Sequence, residues 1–148
     1  MIVRDAELWD VPALFELAER FHSEAAPGFP LPDPLAIYQT ILETKAIPDL
    51  CCFVAEETVV TGFLTGAAAR PPHSFKRVAG MTMFYVDPKH RGGKTYSMLF
   101  RRFMEWCHAS GARVVSCGSI SGIKEERFGK FLERAGFRKA GDTYMKAL

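Results

Sequence analysis

The segment Tyr85-Val-Asp-Pro-Lys-His-Arg-Gly-Gly-Lys-Thr-Tyr-Ser-Met-Leu-Phe100 constrains the fold more than any other part of the chain. An apolar run, Met81 to Val86, enters a short basic loop with two adjacent glycines, and the loop opens directly into a helical pattern. The first turn of such a helix presents N–H groups without intrahelical partners at the positive end of the helix dipole. That arrangement suits an anionic phosphate group.

The Gly93-Lys94-Thr95 step invites comparison with a triphosphate-binding loop. That loop requires a glycine five positions before the glycine of its Gly-Lys pair, so that the backbone can curl around the phosphates. The residue five positions before Gly93 is Pro88, with a fixed φ and no N–H. Some 50 residues follow, which is little for the rest of a nucleotide-hydrolysing core. The triphosphate reading is therefore rejected in favour of a different phosphate ligand.

Periodicity along the chain predicts the order β-α-α-β-β-β-α-β-α-β-β in one α+β domain spanning residues 1–148. Ile2-Val-Arg4 starts the chain as a short strand. Asp10 is expected to cap a helix with Pro12 in its first turn, and Val11, Leu14, Leu17, Ala18 and Phe21 supply its apolar stripe. Pro27, Pro30, Pro32 and Pro34 mark an irregular crossing, and a second helical stretch runs from about Leu35 to Lys45. Cys51 to Ala55 and Val59 to Ala68 read as a hairpin turning at Glu56-Glu57-Thr58, residues 70–77 as a loop, and Met81 to Val86 as the next strand.

The helix after the glycine loop is expected to bury Tyr96, Leu99, Phe100, Phe103 and Cys107, spaced three and four apart, and to end at Gly111. Arg113 to Cys117 reads as a strand and about Lys124 to Ala135 as a helix capped by Gly136. Gly129 inside that helix suggests close packing there, because glycine costs about 1 kcal/mol relative to alanine in a helix interior. Phe137 to Ala140 and Thr143 to Lys146 are expected to form a final hairpin around Gly141-Asp142.

With 19 basic and 17 acidic residues, a net charge of +2 gives no support to a general nucleic-acid or membrane-binding surface. No run approaches the length of a membrane span, and the N-terminus carries Arg4, Asp5, Glu7 and Asp10 in place of a signal-peptide pattern, so the expected location is cytoplasmic. Cys51, Cys52, Cys107 and Cys117 lack metal-site spacing and read as reduced, buried thiols. Trp106 and the helically spaced phenylalanines belong to core or interface, which leaves room for a homodimer.

Two motifs in order carry a resemblance to a known family. Val86-Asp-Pro88 followed by Arg91-Gly-Gly-Lys-Thr-Tyr96, and later Glu133-Arg-Ala-Gly-Phe137, resemble the "V-x-P", "Arg/Gln-x-x-Gly-x-Gly/Ala" and "E-K-L-G-F" patterns of the GCN5-related N-acetyltransferase superfamily. The resemblance implies a mixed, mainly antiparallel twisted sheet flanked by helices. It implies acetyl-CoA as co-substrate, its pyrophosphate on the loop residues Arg91, Gly92, Gly93, Lys94, Thr95 and Tyr96, and its pantetheine arm along Phe84, Tyr85 and Val86. It further implies transfer of an acetyl group to a primary amine of a small molecule or protein. Lys94 and Tyr96 stand where the family has small residues, glycine at the first and glycine or alanine at the second. Leu132 stands where a tyrosine often protonates the leaving thiolate, and Glu125 replaces a frequent asparagine. Ser119, Ser121 and Tyr144 are the remaining candidate proton donors, with solvent an equal contender. His22, Glu24 and His73 fall in the regions where the family builds its acceptor site. These departures keep a second expectation open, a noncatalytic protein of the same fold that binds a CoA derivative or a protein partner.

Overall fold

A computed structural model describes residues 1–118 and 121–148. Its elements in chain order are β1 (Ile2–Asp5), α1 (Val11–Glu24), α2 (Pro34–Ala46), β2 (Leu50–Glu56), β3 (Val60–Ala69), β4 (Arg77–Val86), α3 (Lys94–Ala109), β5 (Ala112–Ser116) and α4 (Glu125–Arg134). Short 3-10 turns at Leu8–Asp10 and Pro88–His90 precede α1 and α3.

The strands form one five-stranded sheet in sequential order. β1 to β4 pair antiparallel, and β5 alone runs parallel to its neighbour β4. Strand alternation divides the side chains between two cores. Cys51, Phe53 and Ala55 face α3 and α4, packing with Leu99, Phe100, Phe103 and Leu132. Cys52 and Val54 face α1 and α2, packing with Leu14, Leu17, Phe21 and Ile41. The expected stripe of α1 is the buried one. In α2 only Ile41 is buried, while Leu35, Tyr38 and Leu42 remain exposed.

Several local expectations change. β4 begins at Arg77, because Arg77 to Gly80 pair with β3 or β5 and Ala79 is fully buried between them. Asp10 sits at the helix start but makes no side-chain cap. Its buried carboxylate instead accepts two hydrogen bonds from Arg4, at 2.7 and 2.9 Å, and one from the Glu7 N–H at 2.7 Å. A paired ionic partner outweighs a capping bond for a carboxylate removed from water. Among the described residues, nothing outside its own helix lies within 4 Å of a Cβ built on Gly129, so no protein group packs closely there. The final hairpin is not formed either, since residues 137–148 carry no strand. Phe137 docks on the core, but most of the segment beyond it is exposed, as Tyr144 and Leu148 show, with too little apolar burial to fix a register.

One departure from regularity positions the site. Thr65 pairs with Met83 and Gly66 with Met81, leaving Thr82 as an extra residue on β4. A bulge of this kind bends and twists its strand. The pairing of β4 with β5 ends at Gly80 opposite Ser116, just before that bulge. From Met81 to Val86 the strand is therefore hydrogen-bonded to β3 on one side and unpaired with β5 on the other.

Candidate active site

The separation of β4 from β5 opens a cavity of about 310 Å³. Met81 to Val86 form one wall, the glycine loop one end, and Phe128, Phe131 and Arg127 of α4 the opposite wall. The cavity also reaches the α1 side of the sheet, where Phe21, Phe29 and Ile123 line it. It thus connects both faces of the sheet through the gap between two splayed strands.

The loop is built from its anchors outward. Asp87 is buried, accepts a hydrogen bond from the Lys89 N–H at 3.0 Å, and is paired with Arg20 of α1. The chain then turns through Pro88–His90 to Arg91. Arg91 Nε donates to the Val86 carbonyl at 2.7 Å, and its two terminal nitrogens donate to the two Glu24 oxygens at 2.8 and 2.9 Å. The same guanidinium lies 5.0 Å from the centre of the Tyr85 ring, and the Tyr85 hydroxyl donates to Glu24. Burial would raise the Glu24 carboxyl, but Arg91 and Tyr85 more than offset it and hold Glu24 below its ordinary value. Tyr85 is pushed up by burial and by the adjacent Glu24.

Gly92 follows at φ +92°, the left-handed region that glycine enters without steric penalty. Gly93 is the N-cap of α3 and provides no side-chain cap for the first-turn N–H groups. A Cβ built on Gly92 comes within 3.8 Å of the Arg127 guanidinium, so a second cation faces this loop from α4. Backbone donors, a helix N-terminus and Arg127 together form a cradle that fits a pyrophosphate.

Of the residues expected to hold the cofactor, Phe84, Tyr85, Val86, Arg91, Gly92, Gly93 and Tyr96 line the cavity together. Lys94 and Thr95 do not; they border a second depression with Met1, Glu57 and Lys89 on another side of the loop. Thr95 is buried and its hydroxyl points to Met1 Sδ at 3.2 Å. Tyr96 turns its ring away from the loop backbone, stacking on Phe84 at 4.1 Å and meeting Phe131 edge-on at 5.1 Å. Its bulk is therefore absorbed by an aromatic wall.

Of the proposed proton donors, Ser121 lines the cavity, while its hydroxyl accepts a hydrogen bond from the Ile123 N–H at 3.2 Å. Tyr144 is 89% exposed and takes no part in the lining. Ser119 lies outside the described residues. Leu132 is buried in the core and His73 is exposed on its loop. His22 Nε2 lies 3.2 Å from the Phe29 carbonyl oxygen. Sequence reasoning missed Arg127 and Ile123, which reach the cavity from α4 and from the turn before it. Nothing in their local spacing distinguishes them; only Arg127's place on the polar side of an amphipathic helix is visible beforehand.

A mainly antiparallel sheet that splits between its fourth and fifth strands, with the glycine loop and the α3 N-terminus at the split, defines a mixed α+β protein with a cleft between two strands. The sequence model of the Acetyltransferase (GNAT) family matches residues 11–137, and the chain belongs to that family. Among solved structures, it is similar to a putative acetyltransferase from Agrobacterium tumefaciens, with 19% identity, full coverage of both chains and a TM-score of 0.78. It is also similar to a ribosomal-protein-alanine N-acetyltransferase from Brucella melitensis, with 23% identity over 95% of this chain and 86% of that one, TM-score 0.78. A glucosamine-6-phosphate N-acetyltransferase from Arabidopsis thaliana shares 15% identity over 98% and 96% of the two chains, TM-score 0.78. At these identities the likeness concerns the fold. Comparison with curated protein sequences gives no match. Among the described residues, no helix is long and apolar enough to cross a membrane.

Proposed function

We propose that the protein is an N-acyltransferase that moves an acetyl group from acetyl-CoA to a primary amine. The observation that carries this reading is the unpaired edge of β4 leading directly into the Gly92-Gly93 cradle. An extended pantetheine arm can add to that edge as a strand would, while its pyrophosphate meets the α3 N-terminus and Arg127. In the transfer, the neutral amine nitrogen attacks the thioester carbonyl, a C–N bond replaces the C–S bond, and the proton the nitrogen sheds balances the one the leaving sulfur takes up from solvent. Holding amine and thioester together supplies much of the rate without a dedicated acid or base. The four unpaired cysteines fit a reducing compartment such as the cytoplasm.

A second reading, a noncatalytic CoA binder, draws on Leu132, which lies in the core and offers no proton to a leaving thiolate. Calorimetry with acetyl-CoA, CoA and ATP, followed by thiol release on an amine panel, separates the two. Acetyl-CoA binding with turnover supports transfer, and binding without turnover supports the second reading. Preference for ATP overturns both.

A further inference from the structure

We infer that the acceptor is a small amine bearing one amino group on an aromatic body, and that polycationic amines are excluded; this rests on the acyl-transfer reading above. The glycine loop and the Phe84–Tyr96 stack lie on the α3/α4 face, which assigns that end of the cavity to the cofactor. The end that opens on the α1 face is then the acceptor chamber. It is walled by Phe21, Phe29, Met83, Tyr85 and Ile123, all of which belong to the α1/α2 core. Phe21 sits at the centre, edge-to-face with Phe29 at 5.2 Å and with Tyr85 at 5.8 Å. Contact with the Phe29 carbonyl through His22 holds the Phe29 segment against α1. Such a box accepts another ring in the same edge-to-face manner.

Charge narrows the class further. Among the described residues lining the cavity none is acidic, whereas Arg91, Lys124, Arg127 and Arg134 are cationic. Glu24, whose carboxylate meets the hydroxyl of the wall residue Tyr85, has both oxygens occupied by Arg91 and one also by Tyr85. A polyamine or aminoglycoside entering here would lose hydration at several ammonium groups with no carboxylate to replace it. A monoamine loses hydration at one group only. Low polarity and neighbouring cations also favour its neutral form, the form that attacks the thioester.

The test measures thiol release from acetyl-CoA by the full chain with 2-phenylethylamine, spermidine and kanamycin. The expected result is a kcat/KM for 2-phenylethylamine at least about tenfold above the other two. Phe29→Ala should raise the KM for 2-phenylethylamine about fivefold or more, with the Kd for acetyl-CoA unchanged. Equal or better use of spermidine or kanamycin overturns the inference, as does an unchanged KM in Phe29→Ala. Calorimetry of the same amines with the protein, with and without CoA, decides the matter where turnover is nil. Tighter binding of 2-phenylethylamine supports the inference, and no binding or a preference for spermidine overturns it. Acetyl-CoA binding, measured separately, reports on the acyl-transfer reading itself.

Discussion

Arg91 reaches back from the glycine loop to the end of α1 and grips both carboxylate oxygens of Glu24, at 2.8 and 2.9 Å. Because the same side chain donates to the Val86 carbonyl, one guanidinium ties the last residue of β4, the loop and α1 together. Glu24 is thus a positioning residue for the glycine loop proposed to hold the pyrophosphate. Glu24→Gln should weaken acetyl-CoA binding several-fold and cost about 1–3 kcal/mol at neutral pH. Glu24 is held below its ordinary value, so its contribution is present above the unfolded value of about 4.3 and lost as pH falls through the lower folded value. Urea unfolding of both proteins should show a gap at pH 7 that closes towards pH 3.

Gly92→Val tests the cradle directly. The residue sits at φ +92°, where a β-branched side chain is strained by about 1–2 kcal/mol, and its Cβ would point at Arg127. Calorimetry should show acetyl-CoA affinity falling by about tenfold or more, with the far-UV spectrum retained. Unchanged affinity would remove this loop from the phosphate site.

The Arg4–Asp10 pair anchors the N-terminal strand to the start of α1. Asp10 is 3% exposed, and Asp10→Ala leaves Arg4 with Glu56 at 2.9 Å and the Asp5 carbonyl at 3.1 Å. The expected loss is about 1–3 kcal/mol, the cost of unpairing the Glu7 N–H and two guanidinium donors, because Arg4 keeps Glu56 as an ionic partner. Burial alone would raise Asp10, but Arg4 and the Glu7 N–H bring it below its ordinary value. This stabilisation therefore also fades as pH falls below about 4, and thermal melts across pH 3 to 7 should show it.

The cysteines should be unreactive in the native protein. Burial pushes Cys107 up to about 11 and Cys52 and Cys117 up to about 12, and raises Cys51 as well. A thiol that far above pH 8 is thiolate about one part in a thousand or less. A disulfide reagent should find almost no thiol in the folded chain and four after denaturation in guanidinium. This same property makes coenzyme thiol release a clean readout.

Much of the site was legible because it is local. A strand, a bend with paired glycines and a helix start lie within sixteen consecutive residues, and Gly92 does adopt the positive φ that only its identity suggested. Tyr96 was ambiguous in sequence, since a bulky first-turn residue can clash or pack, and Phe84, Phe128 and Phe131 from other elements settle which. Asp10 was misread as a cap because its partner Arg4 comes from the preceding strand. The expected final hairpin rested on the Gly141-Asp142 turn between two short segments, and a turn signal without a buried face to reward the pairing does not specify strands.

The sequence by itself determined the element order as far as α4, the strand–glycine loop–helix arrangement and the family. Those properties come from short-range periodicity, backbone freedom at glycine and the order of two motifs. Tertiary structure alone decided where β4 parts from β5, that Arg91 is held by Glu24, and that Phe21, Phe29 and Tyr85 gather into one chamber. These depend on a bulge at Thr82 and on contacts between residues up to 67 positions apart. Such contacts are selected by the packing of the whole sheet between its helices, which no local pattern records.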